Sequence, residues 1–404
     1  MHIIVIFHSI GGYHAARLRA THTACQQKGW TLTAIQVTDK TQEHPWGCME
    51  KEITFPLKTL LPTATNLSID RSQLSPVAAS VIPEFLDTLQ PDILAIPGWG
   101  FPVSRAALSW CRRYRVPAIL MSESKWNDEK RQWWKEQLKS WLYIRNFAAA
   151  LVGGELHRDY LVKLGFTRER IFFGYDAVDN DYFSEKARIA RQDVITARNC
   201  QPGIPLQPYF LATTRFITRK NVLRLVEAYA TYRQKVGETE AWNLVICGSG
   251  EQKSSIQNLI LAKDLKDCVH LPGFITYQDI GDWYGLANAF VHPALVEQWG
   301  LVVNEACAAG LPILGSRTVA ACDALVQDGQ NGFLFNPENT PDITRALLAI
   351  HQLDPASRMK MGQLSKQIVA DYHPSKFADG LLKAAVSIPV SSINRNSSTN
   401  KFLN

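Results

Sequence analysis

Short runs of branched apolar residues alternate with helix-forming stretches along almost the whole chain, and this alternation limits the fold more than any other feature. The first runs are HIIVIF, TLTAIQV, DILAIP, PAILMS and AALVG, each followed by a polar, turn-rich or helix-periodic segment. Strands that alternate with helices in this way form parallel sheets joined by crossover helices. The pattern therefore predicts an α/β protein.

A second series of the same kind begins at YFLATT and continues through NLVICGSG, NAFVHPA, LPILGS and GFLF, with helices predicted over 221–234 and 301–309. The 404 residues exceed what one hydrophobic core usually supports. We therefore predict two Rossmann-like domains that face each other across a cleft. Ligands of such sheets bind beyond the carboxyl ends of the strands, so the cleft is the expected site.

The domain boundaries follow from where each strand series stops. The sequence predicts an N-terminal domain over 1–175, a linker over 176–208 that contains the turn QPGIPLQP, and a C-terminal domain over 209–372. Residues 373–387 are predicted to form a helix that crosses back to the N-terminal domain. The polar residues 388–404 are predicted to be a disordered tail.

Charge and cysteine usage narrow the class of protein. A net charge of +6 and a pI near 8.8 suit a protein that handles anions, but no zinc-finger, RNP or helix-turn-helix pattern accompanies them, so we expect no nucleic-acid partner. Eight scattered cysteines without a C-x-x-C pair indicate reduced, buried thiols. We find no signal peptide or membrane span, and therefore expect a cytoplasmic protein.

Two acidic residues eight positions apart form the strongest chemical signal, in VHPALVEQWGLVVNEACAAGLPILGS. If Glu297 lies in the loop before a helix and Glu305 lies along it, both carboxylates can face one ligand, and the helix N-terminus near Gly300 can offer N–H groups to phosphate. Carboxylates accept hydrogen bonds from sugar hydroxyls. The alternative is a solvated helix residue and an acid stabilised by the helix dipole.

Two cations lie between a predicted strand and helix in ATTRFITRKN. Arg215 and Lys220 suit a diphosphate, because fixed cations in a water-poor site stabilise a leaving group as its charge develops. The alternative is two surface charges at a helix start, where cations oppose the dipole.

With these motifs the chain resembles the retaining GT-B glycosyltransferases of family 4, the group 1 glycosyltransferases. That family pairs an Arg-x4-Lys after the first strand of its C-terminal domain, matched by Arg215 and Lys220, with an E-x7-E motif matched by Glu297 and Glu305. The resemblance implies that Glu297 contacts the donor sugar and that Glu305 contacts the ribose. It also implies further donor contacts from Gly248 and from the amides of Gly300, Leu301 and Val302.

The resemblance extends to the N-terminal half, which in this family binds the acceptor. Gly11 and Gly12 follow the first strand and resemble the glycine loop beside the donor phosphates; the alternative is an ordinary strand-to-helix turn. His14 either faces the cleft or caps this turn. Where many members carry a histidine near the reacting sugar, this chain has SES, in which Glu123 either acts on the acceptor hydroxyl or is a plain loop acid.

The implied reaction is transfer of a hexose from a UDP or GDP sugar to a glycan or lipid-linked acceptor with retention of configuration, as in polysaccharide biosynthesis. The catalytic candidates are Glu297, Arg215, Lys220, Glu123 and His14. The D-x-D spacing of Asp179 and Asp181 reads better as a turn than as a metal site, so no metal or other cofactor is predicted. A sugar-nucleotide epimerase, a phosphorylase and a non-catalytic sugar-nucleotide-binding protein stay open as alternatives.

Residues 125–146 combine Trp126, Trp133, Trp134 and Trp141 with five lysines and arginines after Lys125. A basic aromatic helix of this kind can make a peripheral contact with the inner face of a membrane, which would suit a lipid-linked acceptor. Alternatively, the tryptophans pack inward and the basic residues are solvated.

Overall fold

The structure, a computed structural model, describes residues 1–39, 52–62 and 71–389. They divide into two compact units. The first unit joins Met1–Asp176 to the segment that starts at Pro374, and the second is Ala177–His373. Each unit is built on one parallel sheet.

The sheet of the first unit has the described strand order β3-β2-β1-β4-β5-β6-β7. Its strands are β1 (His2–Phe7), β2 (Thr31–Gln36), β3 (Leu57–Thr59), β4 (Ile93–Pro97), β5 (Ala118–Ser122), β6 (Ala149–Val152) and β7 (Ile171–Phe173). Its helices are α1 (Gly12–Gln27), α2 (Arg71–Leu89), α3 (Pro102–Tyr114), α4 (Trp133–Leu142) and α5 (Glu155–Lys163). Helix α15 (Pro374–Val386), from the end of the chain, also belongs to this unit.

The apolar run HIIVIF forms β1 because both of its faces are covered. Ile4 and Ile6 lie in the apolar layer on one side of the sheet, and Ile3 and Val5 lie in the layer on the other side. Side chains alternate across a strand, so a strand buried on both faces reads as a continuous apolar run.

The second unit repeats this design with the strand order β10-β9-β8-β11-β12-β13. Its strands are β8 (Tyr209–Thr213), β9 (Asn243–Cys247), β10 (Val269–Gly273), β11 (Ala289–His292), β12 (Ile313–Ser316) and β13 (Gly332–Phe335). Its helices are α6 (Asn180–Gln192), α7 (Val194–Cys200), α8 (Val222–Val236), α9 (Lys253–Ala262), α10 (Ile280–Leu286), α11 (Leu301–Ala308), α12 (Ala320–Leu325), α13 (Thr340–His351) and α14 (Pro355–Val369). The predicted α/β fold with two Rossmann-like domains is confirmed.

The segment 176–208 differs from the predicted linker. From Ala177 onward it belongs to the second unit and forms α6 and α7. Helix α6 buries Phe183 and Ala187 against α10, where Gly285 lets the helices approach so closely that an added Cβ would lie 2.7 Å from Ala190 Cβ. A helix packed at this distance is part of the unit's core rather than a connector.

The helix predicted over 373–387 is α15, and it lies in the first unit against α1. Two glycines permit its close packing, since a Cβ on Gly174 would lie 2.3 Å from the carbonyl oxygen of Lys376, and one on Gly380 would lie 2.0 Å from that of Phe173. At the start of the predicted tail Ile388 is buried. Residues 390–404 lie outside the described residues, so the tail prediction stays untested.

The described cysteines are all free thiols, and six of the seven are buried while Cys200 is exposed. Burial raises the pKa of the Cys25 thiol to about 11 and that of Cys111 to about 12. Within the described ranges, no helix has the length and apolar content needed to cross a bilayer.

Candidate active site

The candidate site of the second unit lies where the winding of its sheet changes direction. Strands β8 and β11 are neighbours, and the chain continues from β8 to one side of the sheet and from β11 to the other. The loops at the carboxyl ends of such a strand pair separate and leave a crevice. The loop after β8 carries Arg215 and Lys220, and the loop after β11 carries Glu297.

Lys220, Glu297 and His292 form a buried charged cluster in this crevice. The Lys220 ammonium donates to one carboxylate oxygen of Glu297, and Nε2 of His292 lies 2.5 Å from the other. The side chains of Lys220 and Glu297 are 8% and 17% exposed, and that of His292 is 1% exposed. Each Glu297 oxygen therefore has one internal partner and further acceptor capacity, and the carboxylate is held in one orientation.

The charged groups of the cluster shift one another's pKa values. Burial raises the pKa of the Glu297 carboxyl, but Lys220 and His292 outweigh burial and hold it well below its usual range. Burial lowers the pKa of Lys220, as do the nearby Arg219 and Arg215, whereas Glu297 opposes that change. Glu297 is therefore a fixed anion at neutral pH, suited to accept hydrogen bonds and unsuited to act as a general base.

Backbone contacts fix the two loops against each other. The amide of Leu295 donates to the carbonyl of Arg219 at 2.8 Å, and Glu297 forms a parallel bridge with Val319. The side chain of Asn221, whose φ is +60°, donates to two backbone carbonyls at 3.1 and 2.8 Å. These backbone contacts therefore fix the positions of the two loops that carry the site.

Arg215 is the cation of this site that has no internal partner. Among the described residues its half-buried guanidinium has neither a hydrogen bond nor an ion pair. Its loop is fixed by the CGSG turn, because Thr214 and Phe216 donate to Cys247 and Ser249 oxygens at 2.9 and 2.7 Å. A rigid loop that presents an uncommitted guanidinium is suited to bind an anion.

Gly248 makes that close packing of the two loops possible. Its φ is +146°, and a Cβ at this position would lie 1.8 Å from the carbonyl oxygen of Thr214. The structure thus gives Gly248 a direct role in shaping the Arg215 loop.

The eight-residue helix α11 begins beside the carboxylate of Glu297. Gly300 precedes it with φ +113°, and a Cβ there would lie 3.5 Å from Glu297 Oε2 and 3.2 Å from Val319 Cγ1. Within the described part of the chain, the amides of Leu301 and Val302 donate to no acceptor. Unpaired N–H groups at a helix start favour an anion such as phosphate.

Glu305 lies on α11, as predicted, but it is 3% exposed rather than solvated. The Tyr284 hydroxyl donates to its Oε2 at 2.6 Å and lies 2.9 Å from the hydroxyl of Thr213. Tyr284 is fully buried, so this chain of hydrogen bonds orients Glu305 from inside the core.

Sequence reasoning missed His292 and Tyr284. The signal for His292 is a histidine at the end of a buried strand, five residues before Glu297. No local signal identifies Tyr284, because it lies on α10, 21 residues before Glu305.

In the first unit, the loop after β1 is an extended turn. Gly11 has φ −106° and ψ −171°, and α1 begins at Gly12, so neither glycine uses the left-handed region. The Gly11 amide donates to Nδ1 of His14 at 3.3 Å, and the imidazole packs against Phe7 with ring centres 4.4 Å apart and ring planes tilted by 54°. These contacts favour the capping interpretation of His14.

Glu123 follows β5 and is half-buried beside two charged residues of the same unit. Asp176 is completely buried, and the charges that act on it are those of Glu123 and of Arg17, which is 1% exposed. Burial and the charge of Glu123 raise the pKa of Asp176 well above its usual value, and Arg17 opposes the change. Burial therefore favours the neutral form of Asp176.

The D-x-D pair belongs to the start of α6. The carboxylate of Asp179 accepts from the Tyr182 amide at 3.0 Å and caps the helix, and Asp181 lies 3.3 Å from Nε2 of His373. A cap of this kind agrees with the turn interpretation of the pair.

Residues 201–367 match the family model described as glycosyl transferases group 1. The matched range includes both loops and helix α11, and hence the whole Lys220, His292 and Glu297 cluster. It also contains Arg215 and Glu305.

Two curated relatives match over about a third of this chain. An uncharacterised glycosyltransferase of Haemophilus influenzae is 33% identical over 140 residues, which cover 34% of this chain and 38% of the relative. The alpha-monoglucosyldiacylglycerol synthase of Acholeplasma laidlawii is 30% identical over 142 residues, which cover 35% of this chain and 34% of the relative. The chain therefore spans little more than a third of the length of either relative.

The fold is similar over nearly the whole chain to a solved Anabaena protein, HepE, in complex with UDP and glucose. The TM-score is 0.71 at 15% identity, over 96% of this chain and all of that one. At this identity the likeness concerns the fold. The part of the chain that carries the charged cluster is thus similar in sequence to the group 1 glycosyl transferases, on a GT-B fold.

Proposed function

We propose that this protein is a glycosyltransferase that moves a hexose from a nucleoside diphosphate sugar to an acceptor hydroxyl with retention of configuration. The observation that carries the proposal is the fixed Lys220–Glu297–His292 cluster beside an unpartnered Arg215 and the free amides of α11. Cations and N–H groups suit a diphosphate, and a fixed carboxylate suits sugar hydroxyls. One crevice thus offers both kinds of contact.

The charges account for acceleration of donor cleavage. When the bond between the anomeric carbon and the diphosphate breaks, negative charge grows on the phosphate oxygens. Arg215, Lys220 and the amides of Leu301 and Val302 stabilise that charge in place, with no reorganisation during the step. Glu305, oriented by Tyr284, binds the ribose hydroxyls. No metal is required in this scheme, because the chain supplies the cations.

Glu297 acts as an acceptor of sugar hydroxyls rather than as a nucleophile. Lys220 and His292 each bind one of its two oxygens, and its pKa is low, so its lone pairs are poorly available for a covalent bond to carbon. Retention then follows from attack on the same face that the diphosphate leaves. The leaving phosphate takes the proton of the acceptor hydroxyl.

The acceptor is proposed to be a glycan or a lipid-linked sugar in the cytoplasm, bound by the first unit. Glu123 is the proposed contact for its hydroxyl, because this half-buried acid directly follows β5. The Acholeplasma relative is named for a product built on diacylglycerol, which supports a lipid acceptor. The bound UDP in HepE supports UDP as the nucleotide.

Calorimetric titration with UDP, GDP and ADP tests the donor site, and we expect selective binding of UDP or GDP. Incubation of the matching nucleotide sugars with an acceptor panel, followed by NMR of the anomeric proton, tests transfer and retention. The exposed Glu227 on α8 provides a matched control as Glu227→Gln. Absence of binding by every nucleotide refutes the donor site, and binding without turnover indicates a non-catalytic protein instead.

A further inference from the structure

Helix α4 in the first unit has the reverse of the polarity expected for a surface helix. Its outward side chains include Trp133, Trp134 and Trp141, which are 74%, 52% and 68% exposed. Its buried side chains are Glu136 and Ser140, 6% and 1% exposed. The helix therefore turns Glu136 and Ser140 inward and its tryptophans toward solvent.

A hydrogen-bond network holds the helix in this orientation. The carboxylate of Glu136 accepts from Lys139 at 2.9 Å, from Arg131 at 3.4 Å and from the buried hydroxyl of Tyr160. The Ser140 hydroxyl donates to a backbone carbonyl at the end of α5. Rotating the helix to bury the tryptophans would remove these partners from a buried carboxylate, which is costly.

The outward residues form one continuous face. With 3.6 residues per turn, positions 133, 134, 137, 138, 141 and 142 lie on the same side, and Leu138 and Leu142 are 49% and 38% exposed. Trp126, 38% exposed, lies just before the helix. Elsewhere in the described residues, the large exposed apolar side chains are separated from one another along the chain. An apolar face of this size indicates a docking surface.

The exposed acid Glu129 near this face is paired with Arg131, and the charges without an ion-pair partner that follow are positive. Lys130, Lys135 and Arg145 are exposed and have no ion-pair partner in the described part of the chain. Lys163 is also exposed, with its ammonium 4.6 Å from the centre of the Trp126 ring. The acid Glu136 is neutralised inside the unit, so the surface presents tryptophan, leucine and lysine together. Such a surface complements anionic headgroups above an acyl layer.

We propose that α4 docks the first unit onto a lipid bilayer that contains anionic phospholipid. Trp133, Trp134 and Trp141 enter the boundary between headgroups and acyl chains, where amphipathic indole rings are favoured. Lys130 and Lys135 contact the lipid phosphates. A second copy of the chain fits less well, since a symmetric contact would bring the same cations into one interface. This inference does not depend on the proposed function.

Co-sedimentation with two kinds of vesicle tests the proposal in the absence of any nucleotide. One vesicle is phosphatidylcholine alone, and the other also contains phosphatidylglycerol. We expect the full chain to bind the anionic vesicles more tightly. The double variant Trp133→Ser/Trp141→Ser is expected to weaken that binding by about tenfold or more, because two inserted side chains are lost.

Two further variants separate the contributions. Lys130→Glu/Lys135→Glu should abolish the preference for anionic lipid. The control Ile195→Ser/Leu206→Ser removes two side chains that are each 75% exposed in the second unit, and it should bind like the parent. Thermal melting should show that all three variants are folded, since the changed side chains face solvent.

Quenching of tryptophan fluorescence by brominated phospholipid gives a second measurement, and the loss of Trp133 and Trp141 should reduce it. The proposal is overturned if the parent binds neither vesicle, or if the tryptophan variant binds as tightly as the parent. Equal binding to both vesicles refutes the anionic requirement. Sedimentation that shows self-association through α4 would assign the face to a second copy of the chain.

Discussion

The Lys220 ammonium lies against one carboxylate oxygen of Glu297, although the two residues are 77 positions apart in the chain. The contact joins the loop after β8 to the loop after β11 at the crevice between them. It also holds a negative charge among the cations of the loop after β8. A ligand that lacks hydroxyl donors would leave this carboxylate without hydrogen bonds from the ligand. The site should therefore bind such a ligand more weakly than one with hydroxyl groups.

Glu297→Gln should therefore impair both turnover and stability. Loss of the fixed charge is expected to lower kcat for hexose transfer by about 100-fold. The buried Lys220 loses its counter-ion, so the free energy of unfolding should fall by about 2 kcal/mol or more at neutral pH. Glu227→Gln should change neither quantity. Turnover in the Glu297 variant equal to the parent would contradict the proposed role.

The pH dependence of that stability loss has a defined sign. The pKa of Glu297 is lowered in the folded state, so its contribution is present above its ordinary pKa of 4.5 and is lost as the pH falls through the folded pKa. The difference between parent and Glu297→Gln should shrink below about pH 4.5. Urea titrations at a series of pH values measure it, and a difference that grows on acidification would contradict the ion pair.

Arg215→Ala should weaken nucleotide binding without loss of stability. The guanidinium has no partner among the described residues, so its removal breaks no internal contact. Loss of one charged contact to a diphosphate is expected to raise Kd by about tenfold or more. The neighbouring exposed Arg219 gives a control as Arg219→Ala, expected to stay within about twofold in a calorimetric titration. Equal losses in both variants would indicate a general charge effect.

Tyr284→Phe should weaken nucleotide binding through Glu305. The change keeps the buried ring but removes the hydroxyl that donates to Glu305, and it is expected to raise Kd by about fivefold. Tyr229→Phe is the matched control, because Tyr229 is equally buried in the same unit and donates to the carbonyl of Trp242 at 2.9 Å. Both variants should melt at lower temperature. Only Tyr284→Phe should alter Kd; equal affinities would refute the link to Glu305.

Asp176→Asn should stabilise the first unit at neutral pH. The folded pKa of Asp176 is raised, so its contribution to stability is fully present below its ordinary value of 3.8 and is lost as the pH rises through the folded pKa. Asparagine stays neutral at every pH and so avoids the cost of a buried charge. The melting temperature should exceed that of the parent at pH 7, and the difference should vanish near pH 4. A lower melting temperature at neutral pH would show that the ionised carboxylate is needed.

Much of the second unit's site could be predicted from the sequence, because its residues lie at the ends of apolar strands. Arg215 and Lys220 follow β8, and Glu297 follows β11, so parallel topology brings them to one edge of the sheet. His292 and Tyr284 could not be found in this way. Their partners are set by packing in three dimensions, and a histidine at a strand end or a tyrosine on a helix has no distinctive pattern.

The orientation of helix α4 in the first unit could not be predicted from the sequence either. The sequence left open whether Trp133 and Trp141 face inward or outward, and the structure places both outward. Glu136 decides the orientation through Tyr160, 24 residues away on α5. Strands β3 and β7 also escaped prediction, because each has only three residues and they are partly exposed, so neither forms a continuous apolar run.

The return of α15 to the first unit has a consequence for dissecting the protein. Two covalent crossings, after Asp176 and after His373, join the units, so the second is an uninterrupted insertion within the first. A gene fragment for 177–373 encodes the second unit as one piece, whereas the first can be made alone only by splicing its two pieces together. A single proteolytic cut at either crossing leaves the two units covalently attached, and their release requires both.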